Sequence, residues 1–199
     1  VPVIVAQRDR LALPGEPVHI GVGGGIGTPA AAVAALMLGA DFIVTGSINQ
    51  CTVESGASEA VKDMLMVMRV QDTGYAPAGD MFELGARVQV LRRGVLFPNR
   101  AEQLFELWQR HASLEEIAPA VRARLEADVF RKPLADVWTE AREHLRRSDP
   151  ATCERAEREP KARMAAVFKW YFGLSTRVAM AGDTARRVDF QIHTGPALG

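Results

Sequence analysis

The sequence predicts an α/β chain, the C-terminal part of a (β/α)8 TIM barrel leading into a mostly helical subdomain. Three observations predict it. A short β-branched run, Val18, Ile20 and Val22, feeds the glycine-rich stretch Gly21–Gly27, and Phe42, Ile43 and Val44 run the same way into Gly46 and Ser47. Between them, Thr28 reads as an N-cap and Pro29 as the first position of a helix to Leu38, which makes one βα unit followed by the next parallel strand. From Pro98 onward the apolar residues recur at helical spacing.

The two glycine turns are the first candidate site. Glycine at the end of a strand lets the backbone bend and lets a ligand approach bare N–H groups, and a helix opening at once adds its positive end. Phosphate suits such a site, and barrels commonly hold one on two successive late turns. Two nucleotide motifs are excluded by the letters. A G-x-G-x-x-G starting at Gly21 meets Ile26 where its third glycine belongs, and a P-loop needs a lysine, the first of which is Lys62. The same glycines would also serve tight turns and close helix–strand packing alone.

In chain order, Val1–Leu13 is a helix or strand tail closed by Pro14-Gly15. Pro17–Gly23 is the first strand, Pro29–Leu38 an alanine-rich helix and Asp41–Gly46 the second strand. Ile48–Gly56 is a polar loop on the rim of the second turn. Ser58 caps a helix to about Arg69, with Val61, Met64, Leu65 and Met68 on one face, and Met64, Met66 and Met68 are read as core. Asp72–Gly79 reads as a loop, and Val88, Val90 and Leu91 as a short strand. Leu104, Leu107, Trp108 and His111 keep the helical period, Ser113 with Glu116 reads as a capping box, and Leu134–Leu145 carries an apolar stripe. Asp149-Pro150 opens another helix, Lys161–Met180 is the longest helical pattern, and 186–199 has no period. The division expected is 1–97, the last barrel strands and helices with the phosphate turns, and 98–199, a helical subdomain.

The 199 residues balance 24 Lys and Arg against 24 Asp and Glu, so no electrostatic footprint for nucleic acid or anionic membrane is present. No apolar run reaches a membrane span. Cys51 and Cys153 offer neither a disulfide framework nor a metal site, and both are read as reduced thiols in the cytoplasm. A complete barrel takes about 250 residues, so the chain is read as the C-terminal part of a larger protein whose N-terminal half-barrel is missing.

Gly24–Pro29, Leu38–Gln50, Ala78–Gly85, Val88–Gly94, Phe168–Ser175 and Arg187–Ile192 together resemble the PfaD-type flavin enoyl reductases. These are trans-acting enzymes of polyketide and polyunsaturated fatty acid synthases, related to nitronate monooxygenase (nitropropane dioxygenase). The resemblance covers nearly the whole chain. It implies that Gly24 and Gly25 of the first turn, with Gly46 and Ser47 of the second, hold the phosphate of FMN, and that Gly23 lies against the cofactor. It further implies hydride transfer from NADPH or NADH through FMN to the β-carbon of an enoyl thioester on an acyl carrier protein, and self-association as a homodimer. The flavin carries the redox chemistry while the protein binds and orients.

No catalytic residue is assigned. A proton must reach the α-carbon, and His193 is the histidine worth testing. His19 is read as a strand or rim residue, and His111 and His144 as exposed helix residues. Cys51 and Glu54 follow the second turn on the same rim, and Cys51 has no basic neighbour in sequence to activate it. Two rival readings stand beside the reductase. One is an isomerase or lyase acting on a sugar phosphate in the same barrel position. The other makes 98–199 a docking module for a carrier protein. For that module Arg92, Arg93, Arg100, Arg122, Arg124, Arg131 and Lys132 form a basic face, unless they are solvated among Glu115, Glu116, Glu126 and Asp128. Arg186-Arg187 would serve either a phosphopantetheine or a carboxylate within the fold.

Overall fold

Two small sheets and eight helices make up the described part of the chain, and a computed structural model describes residues 1–11, 15 and 17–199. The chain opens as a helix, α1 (Pro2–Leu11); the closing Leu13 and Pro14 lie outside the described residues. β1 (Gly21–Gly23) and β2 (Phe42–Val44) pair in parallel, Gly21 opposite Phe42 and Gly23 opposite Val44. Both strands are shorter than their apolar runs. Asp41 explains part of this, because its carboxylate takes the Ile20 N–H at 2.7 Å, a side-chain bond where a ladder would continue. α2 (Pro29–Met37) starts as read, with Thr28 Oγ1 accepting from Ala31 N at 3.2 Å and proline in the first turn.

The alanines of α2 were expected to lie close on a sheet. Only Ala35 is buried, and Val33, Leu36, Met37 and Leu38 are exposed. Val3, Ile4, Phe42 and Val44 are exposed as well, so this end of the molecule carries a wide apolar surface.

After a 3₁₀ turn over Ser47–Cys51 comes α3 (Glu59–Met66), capped by Ser58 Oγ. Met64 and Met68 are core, whereas Met66 is 73% exposed, on the opposite side of the helix. Residues 73–77, read as a loop, form a strand instead. β3 (Thr73–Pro77) and β4 (Arg87–Leu91) are an antiparallel pair. The reason is non-local: Gly74 lies under the aliphatic stem of Arg92, and Pro77 stands at the strand's end, where its missing N–H costs nothing.

α4 (Phe97–Arg110), α6 (Leu134–Ser148), α7 (Pro150–Arg158) and α8 (Pro160–Ala181) bury their apolar stripes together, with α5 (Pro119–Arg124) running into a π-helical turn at Leu125–Phe130. The capping box at Ser113 and Glu116 does not form. Pro119 sets the start of α5, and Glu116 Oε2 accepts from Ala112 N at 2.6 Å within the preceding turn. The core is aromatic. Phe82 makes edge-on contacts with Phe105, Trp108 and Phe172, and Phe97 stacks on Tyr171, joining the β3–β4 hairpin to α4 and α8. A second cluster gathers α3, Leu91, Val95, Val178, Phe190 and Ile192.

Candidate functional site at the two glycine turns

Gly24, Gly25, Gly46 and Ser47 come together on the wall of one cavity of about 450 Å³. Gly23 is not on that wall; it ends β1 against Val44. Gly24 and Gly25 hold φ of +85° and +71°, the left-handed region that L side chains avoid, and a Cβ on either would stand in open space. Gly46 faces open space too. Among the described residues, the backbone N–H groups of Gly25, Ile26, Gly46 and Ser47 find no acceptor. Ser47 Oγ accepts from Gly195 N at 2.9 Å, and its own hydrogen has no acceptor there either. Among the described residues, no Asp or Glu lines the cavity. The wall therefore offers a cluster of uncommitted donors with no carboxylate to repel an anion, which is the chemistry a phosphate needs.

The far wall comes from residues without a periodic signal. His193, Thr194, Gly195, Pro196 and Ala197 close the cavity, with Gln50 and Gln89 at its sides. Gln50 Nε2 donates to the His193 carbonyl at 2.7 Å, and Thr194 N donates to the Gln89 carbonyl at 3.3 Å. Gln50 stood three residues past Ser47, and that offset on a helical turn was the available signal.

His193 also lines a second cavity of about 740 Å³, bounded by 78–83 and by α6, α7 and α8. The Gln191 amide nitrogen lies 2.8 Å from His193 Nε2, and Thr176 Oγ1 lies 3.3 Å from the Phe172 carbonyl and 3.4 Å from Gln191 Oε1. The His193 ring keeps an exposed face, while burial of the rest lowers its pKa below the ordinary value, with Asp80 pulling the other way.

The other candidates separate. His19 is exposed beside Asp41, Glu54 is exposed and lines neither cavity, and His144 is exposed on the wall of the larger one. His111 is half-buried at the end of α4, where its carbonyl accepts from Lys161 Nζ at 2.5 Å. Both cysteines are free, and burial pushes the Cys51 thiol up, against nucleophilic use. Among the described residues no cluster of metal ligands occurs, and no helix is long and apolar enough to cross a membrane.

The basic face also changes. Arg100 and Arg186 are drawn inward to the fully buried carboxylate of Asp189, which Tyr171 OH also reaches at 2.9 Å and Arg131 at 3.7 Å. Lys132 pairs with Glu140 and lies over the Trp170 ring, and Arg93 bonds the Val67 carbonyl and Asp72. Arg186 thus serves a carboxylate within the fold. Of the face expected for a carrier, Arg92, Arg122 and Arg124 remain without a hydrogen-bonded partner among the described residues.

Residues 111–190 match the family model of the inserted helical domain of [acyl-carrier-protein] S-malonyltransferase. The chain is 56% identical over 184 residues to the polyketide biosynthesis protein ThaF of Burkholderia thailandensis, covering 92% of this chain and 16% of ThaF. It is 49% identical over 202 residues to the polyketide biosynthesis protein PksE of Bacillus subtilis, covering all of this chain and 26% of PksE. The chain thus spans between 16% and 26% of these relatives' length. It superposes on the enoyl reductase domain of MlnA, from the macrolactin biosynthesis cluster of Bacillus amyloliquefaciens, with a TM-score of 0.89 and 43% identity, over 100% of this chain and 45% of that one. What the comparisons establish is an α/β, mostly helical chain, similar in sequence to polyketide biosynthesis proteins and in structure to an enoyl reductase domain.

Proposed function

We propose that this chain is the flavin-phosphate part of an FMN-dependent enoyl reductase, working on enoyl thioesters carried by the phosphopantetheine of an acyl carrier protein. One observation carries the reading: two glycine turns from adjacent parallel strands meet on one cavity with four N–H groups and a hydroxyl uncommitted. The likeness to the MlnA enoyl reductase domain supports it. Gly25, Ile26, Gly46 and Ser47 hold the FMN phosphate, each charge-assisted bond contributing roughly 1.5–3 kcal/mol. When bound, FMN would supply the redox chemistry, hydride transfer between NADPH or NADH and the β-carbon of the thioester. The chain's own residues bind and orient. Residues 1–97 are the last strands and helices of a (β/α)8 barrel, 98–199 its helical subdomain, and the preceding half-barrel covers the apolar surface of α1, α2 and β2. The intact enzyme pairs as a homodimer.

The test is flavin retention by the full-length protein. Valine at Gly25 is β-branched at φ +71°, and valine at Gly46 projects into the space the phosphate needs. Gly25→Val and Gly46→Val should each purify without the flavin absorbance of the parent. Full flavin content in either variant removes these turns from the site.

A further inference from the structure

We infer that the 193–199 segment is a third wall of the phosphate site, held there by Gly27 and Gln50 so that it fixes the direction of the Ser47 hydroxyl. The inference rests on the FMN-phosphate reading above and goes beyond it, since neither turn belongs to this segment. A seryl hydroxyl has one hydrogen and two acceptor positions, and it rotates freely unless something occupies one of them. Gly195 N–H does so at 2.9 Å, turning the Ser47 hydrogen away from the segment. With no acceptor for that hydrogen among the described residues, it is left to donate to whatever the cavity holds. Donors fixed before the ligand arrives bind more tightly than donors that must be ordered.

The segment touches both turns. A Cβ on Gly27 would overlap the carbonyl of Ala197, so Gly27 is glycine because the segment lies directly on the first turn. Its φ is not in the left-handed region, so alanine there is forbidden by the neighbour and not by the backbone. On the second turn, Gln50 Nε2 grips the His193 carbonyl at 2.7 Å, two residues before the Gly195 N–H that Ser47 uses.

The experiment compares FMN with riboflavin, which lacks the phosphate, in the full-length apoprotein, using quenching of flavin fluorescence. Gly27→Ala pushes the segment off the first turn, and Gln50→Met removes its bond to the second at nearly constant volume. Each should weaken FMN about tenfold, the loss of about one hydrogen bond to a charged group, and leave riboflavin unchanged. Equal weakening of both flavins means a general structural role and overturns the inference. Unchanged FMN binding in both variants overturns it too. In that case Gly25→Val separates the layers: if it still loses FMN, the phosphate reading stands and only the third wall falls, and if it does not, both fall. Should Gly27→Ala not fold, Gln50→Met decides alone.

Discussion

Asp189→Asn tests the account of the basic residues most directly. The Asp189 side chain has no solvent exposure and receives Arg100, Arg186 Nε at 3.1 Å, Arg131 at 3.7 Å and the Tyr171 hydroxyl at 2.9 Å. Arg100 and Arg186 are themselves only 14% and 15% exposed, so neither reaches water easily if its partner is lost. Asparagine keeps the shape but cancels the charge and turns one acceptor into an NH₂ facing guanidinium groups. Removing one partner of a buried pair costs about 3–5 kcal/mol, because the remaining charges stay buried without compensation. For a cooperative unit of this size that is a fall in Tm of about 6–20 °C. Thermal and urea unfolding of the full-length protein measure it. Tyr171→Phe is the control. Burial, then the neighbouring Asp189 charge, hold its phenol well above the ordinary range, so it donates at every working pH. It should cost about 1–3 kcal/mol alone and less once Asp189 is asparagine. A shift below about 1 kcal/mol for Asp189→Asn, or strict additivity of the pair, refutes the network.

Two further outcomes follow from single contacts. Ser58 Oγ accepts from Val61 N at 3.3 Å and donates to the Ala179 carbonyl at 2.6 Å, so Ser58→Ala removes a helix cap and a tie between α3 and α8; urea unfolding should show a loss of about 1–2 kcal/mol. His193 is lowered from 6.5 by burial, so between its folded value and 6.5 the unfolded chain binds more protons, and stability rises with pH through that window. Acidification from pH 7 towards 5 therefore weakens the fold, and His193→Gln should flatten that slope in a pH series of urea midpoints; an unchanged slope assigns it elsewhere.

What could be read from the letters was local. Thr28-Pro29, Ser58 and Asp149-Pro150 announce helix starts because a cap acts within three residues, and all three form. The stripes of α6 and α8 were legible for the same reason, one period being one face. The strand at 73–77 was not, since Gly74 and Pro77 are turn formers by preference and only pairing with 87–91 makes them extended. Arg100 was read with the surface arginines because spacing cannot show that it turns inward to a carboxylate some 90 residues further on, where Arg131 also reaches while staying 41% exposed. Of the site, the two turns were legible as glycine after a β-branched run. The wall at 193–197 was not, because it is irregular backbone brought there by the Val90–His193 bridge and the Leu91 N–H bond to the Ile192 carbonyl at 2.9 Å.

The glycines of the first turn look alike in sequence and have different reasons to be glycine. Gly21 lies beneath the Phe42 ring, which fills the place of its Cβ across the sheet, so its role is strand packing. Gly24 and Gly25 need positive φ and face open space, so the bend requires glycine there and the phosphate proposed above is left room. Gly27 has ordinary φ and a carbonyl where its Cβ would be, so its role is the contact with Ala197. A turn that existed only to reverse the chain would require the positive-φ pair and nothing else. The clearance kept at Gly25 and Gly46, with their N–H groups unspent, is what a turn built around an anion requires in addition. Alanine separates the roles. At Gly21 it must push aside the edge of the Phe42 ring, which is 48% exposed and free to move, so the loss of stability should be small; at Gly46, where φ is −130° and nothing lies within 4 Å, it should leave the fold intact and, on the flavin reading proposed above, act on flavin binding.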